Sequence, residues 1–78
     1  MKGGENMIEK YIGLEDKKTY WVVPVIGHSM EDAKKEANKH FKTSIKKLKA
    51  KCWFVYQDKL YKKKICTGAV PVIAVWKE

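Results

Sequence analysis

The sequence predicts a two-layer α+β domain, one helix packed on a mainly antiparallel sheet, with the element order β-β-α-β-β-β. Three observations carry that expectation. Residues 19–26, 47–56 and 69–76 are rich in β-branched and aromatic side chains, residues 30–42 alone repeat apolar side chains at helical spacing, and short polar breaks separate the strand-like segments. A chain of 78 residues has room for one such domain, which buries about 60 to 65% of its unfolded surface.

The domain is expected over residues 7–78, with residues 1–6 as a leader or tail outside the fold. Residues 2–6 can be encoded by a purine-rich stretch reading AAAGGAGGTGAAAAT ahead of an ATG for Met7, which would serve as a strong bacterial ribosome-binding site. Met7 is therefore the expected natural start, and a low-G+C bacterium or its phage the expected source.

Within the domain, residues 8–14 and 19–26 read as the strands of a hairpin across the polar turn at residues 15–18. Gly27 and His28 end the second strand. Ser29 then caps a helix whose third residue is Asp32, a pattern that stabilises a helix start by about 1 kcal/mol. Met30, Ala33, Ala37, Phe41, Ile45 and Leu48 share one helical face, and Lys35, Lys39, Lys42 and Lys46 another. From residue 47 the period changes to two, so the helix is placed to end near Lys42 and a strand to begin near Lys47. Residues 57–59 turn, residues 60–66 form a basic strand, residues 67–68 turn again, and residues 69–76 form the last strand.

Two strands are apolar on both alternating faces, at residues 20–26 and 69–76, whereas one helix can cover only one side of a sheet. The other side must then meet a second copy, giving a homo-oligomer, or the sheet must curl toward a barrel. Val-Pro-Val-Ile occurs in both strands, at residues 23–26 and 70–73, and proline's missing N–H places each copy at an edge, a bulge or a strand end.

Charge supplies the functional signal. All 17 basic residues are lysine, and twelve of them fall within residues 34–64, opposed only by Glu36 and Asp58, so that window carries +10 while the rest of the chain, five lysines against seven acids, carries −2, for a net +8. Helix-surface pairs of Glu31 with Lys35 and Glu36 with Lys39 would account for part of it, each contributing roughly 0.2 to 0.5 kcal/mol. Lys42, Lys46, Lys47, Lys49 and Lys51 have no acid close in sequence, and Lys62, Lys63 and Lys64 follow one another. Aromatic residues are interleaved with them. Trp53 falls on the same strand face as Lys47, Lys49 and Lys51, so it stands beside lysines if the helix covers the Phe54 face, and Tyr61 precedes the lysine triplet. Lysine attracts anions diffusely, whereas arginine forks onto phosphates and base edges, so this composition favours charge attraction over base reading.

Function classes that need a reaction centre find little here. His28 and His40 lie twelve residues apart with no carboxylate or cysteine at metal-ligand spacing, Ser29 is used as a cap, and Ser44 has no adjacent base. Glu15–Asp16 and Glu31–Asp32 are consecutive pairs whose carboxylates diverge. Cys52 and Cys66 lack a C-x-x-C motif and read as reduced thiols in a cytoplasmic protein, with no apolar run of membrane-spanning length and no charged-then-apolar export signal.

The stretch Gly27-His-Ser-Met-Glu-Asp-Ala33, followed by a helix containing Ala37, resembles the helix start of dodecins, small flavin-storing proteins, and that of HicB-type antitoxins, in which a hairpin precedes a similar helix. The chain lacks the Pro-aspartate-leucine-Pro-Gly stretch that a HicB-type protein would carry before the helix, and no residue role is taken from either family.

The sequence therefore leads to the expectation of a small, basic, non-enzymatic binding protein without cofactor, metal or membrane partner. Its partner would be nucleic acid or another polyanion, held by Lys42, Lys46, Lys47, Lys49, Lys51, Lys62, Lys63 and Lys64, with Trp53 and Tyr61 as stacking groups. The alternatives are a phage or plasmid accessory protein that docks on an acidic host protein to inhibit or sequester it, and an oligomeric binder of a small ligand such as flavin or a nucleotide.

Overall fold

The computed structural model describes residues 8–78, so the expected leader at residues 1–6 and the expected start at Met7 lie outside the described residues. In order, the chain forms β1 (Glu9–Ile12), β2 (Thr19–Pro24), α1 (Met30–Phe41), a single 3-10 turn (Ile45–Lys47), β3 (Leu48–Tyr56), β4 (Lys59–Tyr61) and β5 (Val70–Lys77). This is the expected α+β order, with one helix on a curled antiparallel five-stranded sheet.

The sheet order is β1-β2-β5-β3-β4, and every neighbouring pair is antiparallel. Because β2 and β3 each run antiparallel to β5, they run in the same direction with β5 between them. The helix is thus the crossover of a split β-α-β unit, the kind of long connection that strands running the same way require. The last strand to be made is the central one, and it is apolar on both faces. Ile73 and Val75 point toward the helix, while Val72 and Ala74 point to the opposite side.

On the helix side, Ala33 and Ala37 have no exposed surface and pack with Val23, Leu48, Ile73 and Val75. Two alanines at this contact let the helix approach the sheet closely. Phe41 and Ile45 continue the same stripe and remain half-buried, whereas Met30 at the helix start is largely exposed. Trp21 of β2 stacks on His40 with ring centroids 3.9 Å apart and planes 16° apart, fastening the end of the helix to the sheet.

The helix is closed at both ends by short-range hydrogen bonds. Asp32 N–H donates to Ser29 Oγ at 3.1 Å and Ser29 N–H donates to Asp32 Oδ2 at 3.3 Å, a reciprocal capping box. At the other end Lys42 turns left-handed at φ 54° and donates its N–H to the Asn38 carbonyl at 2.9 Å. Ser44 then opens the 3-10 turn by accepting from Lys46 N–H at 3.3 Å.

On the side away from the helix, the sheet curls until its edge strands β1 and β4 approach one another. Tyr20, Val22, Trp53, Leu60, Val72 and Ala74 form a second buried cluster inside that curl, with Tyr11, Val55 and Trp76 packed against it. Of the two ways of covering a second apolar face, curling is the one the chain itself adopts. The argument for a homo-oligomer loses its premise, since the surface that called for a partner is filled from within.

Several strands are shorter than the sequence suggested. β1 stops at Ile12 because Gly13 N–H turns back to the Lys18 carbonyl at 2.8 Å. β2 ends on Pro24, and β5 begins one residue before Pro71, so both prolines occupy strand ends. The two Val-Pro-Val-Ile copies face each other, with Val23 opposite Ile73 and Pro24 opposite Val72. The largest difference is β4, which ends at Tyr61 instead of continuing to Cys66. Its register, Phe54 opposite Tyr61 and Val55 opposite Leu60, would have set Lys64 against Lys51 had it continued, and like charges directly opposed destabilise a sheet.

The two-residue turn joining β3 and β4 has positive φ at both positions, 50° at Gln57 and 65° at Asp58. That is the backbone of a tight hairpin turn, for which asparagine and glycine are the preferred residues. Replacing Asp58 by glycine is expected to raise unfolding stability by about 0.5 to 1 kcal/mol. Ser29→Ala is expected to lower it by about 1 kcal/mol through loss of the capping box. Urea denaturation of the three proteins checks both.

Candidate nucleic-acid interface

The face of the sheet opposite the helix carries the site. Alternation along β3 sends Leu48 and Ala50 to the helix and Lys49, Lys51, Trp53 and Val55 to the other side. There Lys49 lies opposite Trp76, Lys51 opposite Ala74 and Trp53 opposite Val72. The expected company of Trp53 with lysines is therefore present, except that Lys47 belongs to the 3-10 turn before the strand.

Trp53 is not the open platform that the sequence suggested, because the curl leaves it only 8% exposed. It sits within an aromatic trio. Its ring is 5.1 Å from Tyr20 at 49° and 5.1 Å from Trp76 at 23°, and Tyr20 and Trp76 are 5.5 Å apart at 59°. Such offset and tilted arrangements are favourable for aromatic pairs and fix the rings. Trp76 is half-buried, so part of its ring remains at the surface. Lys62 leaves the end of β4 and places its ammonium 5.5 Å from the centre of the Trp53 ring, within cation–π range.

The remaining expected residues are distributed differently. Tyr61 lies opposite Phe54, on the alternate face of β4 from Leu60. Lys42 forms the helix C-cap, and Lys46 and Lys47 occupy the 3-10 turn, where Lys47 accepts from Glu78 N–H at 2.9 Å through its carbonyl. Lys63 and Lys64 are exposed in the loop that follows β4. Among the described residues two ion pairs form, Lys39 to Glu36 at 3.3 Å and Lys49 to Glu78 at 3.5 Å, and the expected pair of Glu31 with Lys35 is not one of them. Lys51 and Lys62 thus stand on the aromatic face without a carboxylate of the described residues within ion-pair distance.

A cleft of about 260 Å³ opens beside Trp53, between the turn that joins β1 to β2 and the loop that follows β4. Leu14, Leu60 and Ile65 supply apolar walls, Tyr20, Trp53 and Tyr61 aromatic surface, and Lys62, Lys63, Glu15 and Asp16 the charge. Asp16 is fixed by its own turn, accepting from Lys18 N–H at 3.0 Å through Oδ1 and from the Tyr20 hydroxyl at 2.5 Å through Oδ2. Gly13 makes room for this, since a Cβ there would lie 2.1 Å from Asp16 Oδ1 and 2.9 Å from the Tyr20 ring.

These contacts shift both groups. The Tyr20 hydrogen bond, then the Lys18 N–H, holds the Asp16 carboxyl below the usual carboxylate range, so it is an anion at neutral pH. Burial, then the bond to Asp16, pushes the Tyr20 hydroxyl up to about 12, so it remains a donor. Sequence reasoning missed Tyr20, Asp16 and Trp76. The local signal for Asp16 is its place two residues before Lys18 in a turn, whereas Trp76 joins Trp53 only through the non-local pairing of β3 with β5.

Among the described residues no three His, Cys, Asp or Glu side chains converge as a metal site would require, and no helix is long and apolar enough to cross a membrane. Cys52 and Cys66 are both free thiols. No protein-family model matches the chain, and neither a curated protein nor a solved structure resembles it, so the likenesses to dodecins and HicB-type antitoxins gain no support.

The Asp16–Tyr20 bond predicts a pH signature. A depressed carboxyl stabilises the fold at pH values above its ordinary range and loses that effect as pH falls through the folded value. A raised phenol contributes fully below its ordinary value of 10.0, and that contribution is lost as pH rises to about 12. Tyr20→Phe is expected to be less stable than the natural protein at neutral pH, with the difference narrowing below pH 4 and above pH 10. Thermal unfolding across that range checks it.

Proposed function

We propose that this protein is a non-enzymatic nucleic-acid-binding protein that lays a single strand along the lysine-bordered rim of the curled sheet, on the side away from the helix. The observation that carries this reading is the arrangement of Lys49, Lys51 and Lys62 around the Tyr20–Trp53–Trp76 trio, with the Lys62 ammonium over the Trp53 ring. Single-strand binding without sequence readout combines those two elements, a cationic groove for the backbone and aromatic surface for bases.

The partition of labour follows from burial. The exposed part of Trp76 is the stacking surface, and Trp53 supports it from beneath, stacked at 5.1 Å. Lys49, Lys51, Lys62 and Lys63 supply charge for the phosphates. Lys42, Lys46 and Lys47, around the helix end and the 3-10 turn, extend the positive field that draws an anion toward the face. With no arginine in the chain, the phosphate contacts are point charges on flexible stems, which neither fork onto a base edge nor demand one backbone geometry.

Anisotropy of a labelled 12-nucleotide strand tests the reading. Neutralising about four phosphates of a single strand predicts a loss of affinity of about 50-fold between 50 and 200 mM salt. Changing Lys49, Lys51 and Lys62 together to glutamine is expected to remove most of that slope. Trp76→Leu is expected to weaken binding by about 1 to 3 kcal/mol at any salt, the usual effect of losing one stacked base. A flat salt response in the unmodified protein overturns the proposal.

A further inference from the structure

The cleft beside Trp53 contains a feature that a purely cationic surface does not explain, two acidic residues, Glu15 and Asp16, beside Lys62 and Lys63, and of the two it is Asp16 whose carboxylate is fixed by hydrogen bonds. Asp16 is held in place by Lys18 N–H and the Tyr20 hydroxyl, one bond to each oxygen, so each oxygen retains a lone pair for another donor. It lines the cleft together with the apolar side chains of Leu14, Leu60 and Ile65. A carboxylate facing a polynucleotide repels its phosphates, and such an arrangement is favourable where the same carboxylate meets an N–H of the ligand instead.

The cleft has the size and polarity for one base. Its volume of about 260 Å³ is close to the lower end, roughly 300 Å³, of small-molecule sites. The walls suit the faces of a flat ring, Lys62 and Lys63 lie at the same cleft for a flanking phosphate, and Asp16 offers acceptors to the ring's edge. Leu14 and Ile65, both nearly half exposed, are apolar side chains that a base entering between the two loops would cover.

We infer that this cleft takes one unstacked base of the bound strand, and that Asp16 favours a base with an amino donor, cytosine over uracil. The inference rests on the single-strand reading above and adds to it a preference at one nucleotide position. With Asp16 meeting the substituent at C4 of the base, cytosine presents an amino group and uracil a carbonyl oxygen, so the carboxylate accepts a hydrogen bond from the first and opposes a lone pair of the second, and only the N3–H beside that oxygen is left to offset the repulsion. The rest of the strand is held by charge and stacking and contributes no preference.

The experiment compares 12-nucleotide strands of deoxycytidine and deoxyuridine by anisotropy at 100 mM salt, with the unmodified protein, Asp16→Asn and Ile65→Trp. The unmodified protein is expected to bind the cytosine strand about five- to tenfold more tightly. Asp16→Asn can still accept from Lys18 N–H yet can also donate to the uracil oxygen, so the ratio is expected to fall to about one. Ile65→Trp, at an exposed position that leaves the turn's hydrogen bonds intact, fills the cleft and is expected to remove the preference independently. Equal affinity of the unmodified protein for both strands, or a preference that survives in both variants, overturns the base pocket while leaving the single-strand reading in place. Failure to bind either strand overturns both.

Discussion

The constraint on which the structure depends is that its central strand is apolar on both faces. β5 directs Ile73 and Val75 to one side and Val72 and Ala74 to the other, and all four are buried. A strand of this kind must be covered twice. Twelve helical residues cover one side through Ala33 and Ala37, and among the described residues there is no second α-helix for the other. Curling the sheet is what remains to a chain this short, and it brings β1 to β4 and turns the far face into a second core. Each cluster is small, so the domain's stability rests on both being formed together.

That curl also determines what the lysine-rich segment can present. Had the sheet stayed flat, Trp53 would have stood exposed between lysines. Instead it sinks into the trio with Tyr20 and Trp76, and the surface that survives is a lysine-bordered rim with part of one tryptophan ring. Lysine tolerates this arrangement because its long apolar stem can lie along buried aromatic surface while the ammonium stays in water. Lys62 over Trp53 is the direct instance. The concentration of like charge raises the energy of the free protein at low ionic strength, and the polyanion proposed above would relieve it.

Much of the fold was legible because it is written locally. The helix start could be read from Ser29 and Asp32, its buried stripe from Ala33 and Ala37, and the change to strand from the alternation that begins near Leu48. Proline placed two strand ends. What could not be read was long-range. The sequence gives no sign that β5 inserts between β2 and β3, yet that insertion sets Trp76 against Lys49 and beside Trp53. The early end of β4 likewise depends on Lys51 occupying the place that Lys64 would have faced. In the candidate site, the strand lysines and Trp53 were found by period, Tyr61 lines the cleft with Trp53, Lys62 and Lys63 although it pairs with Phe54 across the strands, and Asp16 and Tyr20 went unnoticed because their importance arises only when the hairpin closes.

The hairpin turn of residues 13–18 links the structural and functional arguments. Its hydrogen bonds are satisfied internally, Gly13 to Lys18 across the turn and Asp16 to Lys18 and Tyr20 within it, so it needs no ligand to hold its shape. Tyr20 belongs at once to this turn and to the aromatic trio, which means that the position of the carboxylate is fixed by the same ring that packs on Trp53 and Trp76. Side chains locked in this way lose little entropy when a ligand arrives, whereas the exposed lysines must be ordered at that moment. A rigid aromatic and carboxylate element beside a flexible cationic one therefore separates two properties of binding. In the proposed complex, mobile charge would govern how strongly and how salt-sensitively the anion is held, and the fixed turn would govern which chemical group can approach it.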